Sequence, residues 1–169
     1  MNRTLIMAAA KKDNAKNSSD PVIARNRKAF HDYEILETCE TGIVLVGTEV
    51  KSCRGHSVQL QDCFARIENG ELLAYGIHIS LYAFGNRFNH EAKRPRKLLM
   101  HKKEILRLAN KVKEKGYALI PLKMYLKGMR VKVEVGLARG KTFGDKRETL
   151  RRKQDDMDMR RAIAARRRG

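Results

Sequence analysis

Ile120-Pro121-Leu122-Lys123-Met124-Tyr125-Leu126-Lys127-Gly128-Met129-Arg130-Val131-Lys132-Val133-Glu134-Val135-Gly136-Leu137 is the stretch on which the fold turns. Ile120, Leu122, Met124 and Leu126 alternate with Pro121, Lys123 and Tyr125. Lys127-Gly128 then reverses the chain. Val131, Val133, Val135 and Leu137 alternate with Arg130, Lys132, Glu134 and Gly136. Successive side chains of a strand point to opposite faces, so this period of two predicts an antiparallel hairpin with one dry face and one basic face. Pro121 lacks an amide hydrogen and belongs at an edge or a bulge.

Working outward, Ile105, Leu108, Ala109 and Val112 repeat at helical spacing and give one apolar stripe. Glu104 near its start and Lys111, Lys113 and Lys115 near its end complement the helix dipole, and Gly116 stops it. His101 falls at the N-cap and Glu104 at the third helical position, as in a capping box. Gly85 to Arg96 reads as a long polar loop. Phe64–Glu68 and Leu72–Ile79 flank Asn69-Gly70, a dipeptide suited to hairpin turns because both positions need positive φ. Val58 to Cys63 suggests a short helix, Ile43 to Val50 a strand bent at Gly47, Glu40-Thr41-Gly42 a turn and Tyr33 to Thr38 a first strand. Six or so short, mostly hairpin-linked strands with few helices predict a mainly β fold, a small antiparallel barrel. Three regions follow: a flexible leader (1–25), the folded domain (26–138) and a basic C-terminal tail (139–169).

The formal net charge is +18. The tail holds 12 Lys or Arg against 5 Asp or Glu, with Phe143 its one aromatic residue. A folded basic body with a basic, core-poor extension can grip a large folded polyanion at two places, the extension ordering on binding. Solubility alone needs a net charge of only about 2–8. Cys39, Cys53 and Cys63 are odd in number and lack CxxC spacing, so neither a disulfide framework nor a zinc site is expected. The apolar run Leu5 to Ala10 is too short for a signal peptide and no spanning segment follows, which points to a cytoplasmic protein with no membrane partner. Five histidines share no ligand-like spacing and no phosphate-cradling glycine loop precedes a helix, so no enzyme and no cofactor is expected.

Basic clusters favour RNA. Arg25-Asn26-Arg27-Lys28 precedes the first strand, Lys93-Arg94-Pro95-Arg96-Lys97 precedes the helix, and Arg130 and Lys132 share the wet face of the last strand. With 6% aromatic residues and no Trp, a stacking surface for single-stranded bases looks thin. Recognition of a folded RNA by shape and phosphate fits better.

Several segments in this order resemble one family: Asn26-Arg27-Lys28-Ala29, Gly47-Thr48-Glu49-Val50-Lys51-Ser52, Arg94-Pro95-Arg96-Lys97-Leu98-Leu99, Ala138-Arg139-Gly140-Lys141 and Gly144-Asp145-Lys146-Arg147. Together they closely resemble small protein B, the bacterial tmRNA-binding (SsrA-binding) family, from about Asn26 to Leu150. The resemblance implies a closed OB-like β-barrel of about six strands with two or three attached helices and a tail disordered when free and helical on the ribosome. It implies a non-enzymatic adaptor that binds the tRNA-like domain of tmRNA. With elongation factor Tu and GTP, the adaptor delivers alanyl-tmRNA to stalled ribosomes, and its tail enters the decoding centre and empty mRNA channel of the small subunit. Carried over segment by segment, Asn26, Arg27, Glu40, Lys51, Arg54, Leu99, His101 and Lys132 are the implied RNA contacts, and Lys141, Phe143, Asp145, Lys146 and Arg147 the ribosome-engaging tail. The sequence departs from the family's pattern at Gly144, where many relatives carry His or an aromatic residue, across Arg54 to Leu60, and at Leu81. A structural ribosomal or general OB-type RNA-binding protein is the rival reading, and a nuclease the third.

Overall fold

A computed structural model describes residues 21–85 and 89–166, the segment from 143 onward with only part of its side chains. Nine strands and four helices follow in the order β1 (Val22–Arg25), α1 (Arg27–Asp32), β2 (Tyr33–Ile43), α2 (Gly47–Arg54), β3 (Val58–Gln59), β4 (Phe64–Glu68), β5 (Glu71–Tyr75), β6 (His78–Ile79), β7 (Arg96–Leu99), α3 (Lys102–Lys115), β8 (Ala118–Lys127), β9 (Arg130–Gly140) and α4 (Phe143–Arg166). The main sheet runs β1-β8-β4-β5-β7-β2-β9, and β8 also pairs with β9. Six strands, β8, β4, β5, β7, β2 and β9, therefore close a ring, with β1 added on β8. The expected mainly β architecture holds.

The hairpin β8–β9 pairs Lys127 with Arg130, so its loop is the two residues Gly128-Met129. Gly128 has φ +59, which a side chain would disfavour. On β9, Val131, Val133, Val135 and Leu137 enter the main core together, as the alternation predicts. On β8 the predicted dry face splits. The register shifts between Pro121 and Lys123, which reverses the facing of every residue beyond it. Leu119 and Met124 join the main core, while Ile120 and Leu122 pack with Ala29 and Ala138 in a second cluster under α1. Each fully buried aliphatic side chain contributes about 1.5–3 kcal/mol, so the two clusters on opposite faces of β8 both hold it in place.

Elsewhere the structure differs from the sequence reading. Glu40-Thr41-Gly42 is no turn but part of the long β2, paired with β9. Gly47–Arg54 is a helix rather than a bent strand, with Glu49, Ser52 and Cys53 as its buried face. That face is half polar, so hydrophobic periodicity does not reveal it. Val58–Cys63 forms a short strand and a turn, with Asp62 at φ +57, instead of a helix. The sheet begins before Asn26, because β1 pairs with β8 and buries Ile23. The rest of the proposed leader, residues 1–20, lies outside the described residues. The tail, expected to be disordered when free, forms the helix α4 from Phe143 to Arg166. Among its described side chains, Leu150, Met157, Met159 and Ile163 are all exposed, so helix-favouring composition supports α4 and none of these four apolar residues anchors it to the body.

Candidate nucleic-acid interface

The outer face of β2, β9 and β8 carries the densest polar constellation. Cross-strand register sets Gly42 beside Lys132 and Lys132 beside Tyr125; one step along, Glu40 lies beside Glu134 and Glu134 beside Lys123. The Tyr125 hydroxyl donates to Glu40 Oε2 at 2.5 Å, Lys127 Nζ donates to both Glu40 oxygens at 3.0 and 3.1 Å, and Lys132 Nζ stands 3.5 Å from Oε1. The Tyr125 hydrogen bond first, and the Lys127 and Lys132 charges after it, hold the Glu40 carboxyl below the usual carboxylate range. Lys123 pairs with Glu134 at 3.0 Å and its ammonium lies 5.2 Å from the Tyr125 ring centre. Two cations and a phenol thus converge on one half-exposed carboxylate, a device that keeps Lys127 and Lys132 extended over the sheet. An exposed pair of this kind adds little stability, and its value is positional.

Leu99 extends this face. It pairs with Gly42 and is 51% exposed, an open apolar surface one strand away from Lys132. A Cβ on Gly42 would meet Leu99 Cβ at 3.2 Å, so glycine lets the leucine lie across β2. Leu99, Met129, Arg130 and Lys132 line a groove of about 330 Å³ floored by Ile43 and Val131. His101 follows two residues on, exposed at the N-cap of α3; its carbonyl accepts the first amides of the helix, and its side chain makes no capping bond. Glu40, Leu99 and Lys132 are therefore brought together, with His101 at the rim.

The remaining sequence candidates lie elsewhere or have other work. Asn26 is buried: its Oδ1 accepts from Ala29 N at 3.0 Å and its Nδ2 donates to Pro121 O at 3.2 Å. It caps α1 and presents the exposed Arg27 beyond it, so its side chain is spent inside the fold. Lys51 and Arg54 are exposed on α2, with the Lys51 ammonium 5.0 Å above the Tyr82 ring. The basic cluster at 93–97 is largely structural. Glu49, fully buried, accepts from Arg94 at 2.6 and 2.8 Å, from Arg96 Nε at 2.9 Å and from Val46 N at 2.8 Å. Arg96 is also fully buried and donates to the carbonyls of Ile77, Ala92 and Arg94, while Lys97 pairs with Glu71. In the tail, Lys141 Nζ donates to Phe30 O at 3.1 Å, tying the start of the tail to α1. Arg147 is exposed on α4, and the side chains of Phe143, Asp145 and Lys146 lie outside the described ones.

Tyr125, Lys127 and Met129 were missed as site residues. The signal for Tyr125 was the turn: reading Gly128-Met129 as the two-residue loop sets Tyr125 opposite Lys132. No comparable signal links Glu40 to Lys127, 87 residues away. Among the described residues no group of His, Cys, Asp and Glu could hold a metal ion, and no helix is long and apolar enough to cross a membrane.

The family model of the SmpB protein matches residues 23–165. The chain belongs to the SmpB family. The SsrA-binding protein of Carboxydothermus hydrogenoformans is 58% identical over 147 residues, covering 87% of this chain and 99% of that one. The SsrA-binding protein of Shouchella clausii is 56% identical over 148 residues, covering 88% and 95%. A solved SmpB structure, described as "tmRNA-SmpB: a journey to the center of the bacterial ribosome", is similar with a TM-score of 0.61 and 49% identity, over 76% of this chain and 94% of that one. The SmpB match thus spans the whole six-strand ring and most of α4.

Proposed function

We infer that this chain is an RNA-binding adaptor of trans-translation, not an enzyme: it binds the tRNA-like domain of tmRNA and carries alanyl-tmRNA to stalled ribosomes. The observation that carries the reading is the Glu40–Tyr125–Lys127–Lys132 constellation beside the open Leu99 groove, on a chain of the SmpB family. The ring acts as an OB-like closed barrel, and its β2–β9–β8 wall meets the RNA. Phosphates replace Glu40 as partners of Lys127 and Lys132. The displaced carboxylate then accepts from a base edge or a 2′-hydroxyl, which gives a selectivity that lysine cannot. Leu99 and Met129 cover the apolar face of an exposed base, with His101, Arg27, Lys51 and Arg54 as flanking contacts. Asn26 acts through the helix it caps. Elongation factor Tu with GTP joins through the tmRNA.

The tail, from Lys141 through Phe143, Asp145, Lys146 and Arg147 into α4, engages the decoding centre and the vacant mRNA channel. With Leu150, Met157, Met159 and Ile163 exposed, it exchanges helix and coil in the free protein and settles as helix in the channel. All of this takes place in the cytoplasm. The test is RNA co-purification from cells with sequencing of what is retained, and tmRNA enriched over ribosomal RNA at about 0.15 M salt is expected. No enrichment sinks the adaptor reading and favours a general OB-type RNA-binding protein. Truncation after Gly140 should leave tmRNA binding nearly intact and abolish peptide tagging; tagging that survives removes the tail from the mechanism.

A further inference from the structure

We propose that the wall made by β4 and β5 is a second RNA-contact surface, which stacks one unpaired ribosomal nucleobase on Phe64. The proposal extends the adaptor reading and rests on it for the identity of the RNA. Only five Phe and five Tyr occur in the chain, and no Trp, so a stacking surface looked thin from composition. Folding concentrates what there is. Phe64 and Tyr75 are direct cross-strand partners, their rings 5.3 Å apart and within 15° of parallel. The Arg66 guanidinium lies 5.9 Å from the Phe64 ring centre, and Tyr75 is anchored by its hydroxyl to Glu68 at 3.1 Å.

Cross-strand pairing accounts for one side of Phe64; 45% of the residue remains exposed. Phe64 also stands between two grooves. One, of about 290 Å³, is lined by Tyr33, Lys28, Asp32 and Asp62, with Lys28 held by Asp62 at 2.6 Å. The other, of about 360 Å³, is lined by Tyr117 and Lys113. An aromatic face flanked by guanidinium and ammonium groups suits a nucleobase and its phosphates once phosphate replaces the half-exposed Glu68 beside Arg66 and the exposed Asp62 beside Lys28, and stacking tolerates any base because each has a π-face. The order of the ring supplies the rest. β4 and β5 lie across it from β2 and β9, so a folded RNA seated on Glu40 and Lys132 leaves this wall open to a different RNA.

The test replaces Phe64 with the photoreactive p-benzoyl-phenylalanine in the full chain, bound with tmRNA to stalled ribosomes, and sequences what crosslinks on irradiation. Ribosomal RNA is the expected partner; tmRNA, a protein or no crosslink overturns the proposal. A second arm measures binding of a single-stranded nonanucleotide and, separately, of the tRNA-like domain. Phe64→Leu keeps the apolar bulk and loses the ring face, so it should weaken the nonanucleotide about tenfold while leaving the tRNA-like domain unaffected, and Phe64→Tyr should restore it. A nonanucleotide affinity unchanged in Phe64→Leu, or lost instead in Lys132→Ala, overturns the proposal. Failure of the wild-type protein to hold the tRNA-like domain would instead sink the adaptor reading, with the nonanucleotide result still readable.

Discussion

Glu49→Gln tests how a buried carboxylate positions the RNA-facing wall. Glu49 joins two of the segments that carry the family resemblance, because it sits on α2 and receives Arg94 and Arg96 from the stretch leading into β7. Burial raises its pKa, but the Arg94 and Arg96 bonds and the Val46 amide outweigh burial and leave it below the ordinary carboxylate value. The substitution keeps the shape of the side chain and cancels its charge. Arg96, with no exposed surface, would then be a buried cation held by carbonyls alone. Removing one partner of a buried pair costs about 3–5 kcal/mol, a large share of the roughly 5–15 kcal/mol that holds a domain together. Urea unfolding at pH 7 should show that loss. The pH dependence follows with a fixed sign. A carboxyl depressed in the folded state stabilises fully above its unfolded pKa, about 4.3, and that contribution is lost as pH falls through the folded value. Wild type should therefore lose stability on acidification, and Glu49→Gln should lose less over the same range. The double change Glu49→Leu with Arg96→Met, which removes both charges, should recover much of the stability. A single variant within about 1 kcal/mol of wild type, with an unaltered pH profile, would refute the reasoning.

Lys132→Ala should weaken binding of the tRNA-like domain and lower the slope of log K against log salt by about one phosphate contact, measured by titration at several salt concentrations. Tyr125→Phe removes the phenol that holds Glu40 and should reduce RNA affinity with little change in the thermal midpoint; an unchanged affinity would remove Tyr125 from the site. Gly42→Val places a branched side chain against Leu99 and should lose RNA binding by more than its cost in stability, read by gel shift and thermal melt together.

Much of the ring was legible because its strands obey one physical rule. β9 alternates without interruption, and Asn69-Gly70 marks the β4–β5 hairpin, so both were readable. β8 was half readable: Pro121 announced an irregularity, but nothing in a period of two says that the facing reverses after it. α2 was hidden for a different reason. Its buried positions Glu49, Ser52 and Cys53 have helical spacing, but two of the three are polar, and a buried Glu is expected nowhere without knowledge of its arginines. The site shows the same limit. Lys132 and Leu99 were reachable through the resemblance, whereas the meeting of Glu40 with Lys127 depends on strand pairing far apart in sequence.

The charge of the chain also changes meaning once folded. Counting cations along the sequence gave the 93–97 cluster the same weight as Lys132. Arg94 and Arg96 go to a carboxylate with no exposed surface, where displacement by phosphate would strand Glu49 in the core. Lys127 and Lys132 go to a carboxylate that water reaches, where phosphate can take its place and Glu40 can turn outward. The same pairing of Glu with two cations is therefore a lock in one wall and an exchangeable seat in another. Exposure of the carboxylate, 0% against 38% for the two side chains, decides which. An RNA partner selects the cations whose present partner it can replace at small cost in desolvation, and of these two seats that is the one on the β2–β9–β8 face.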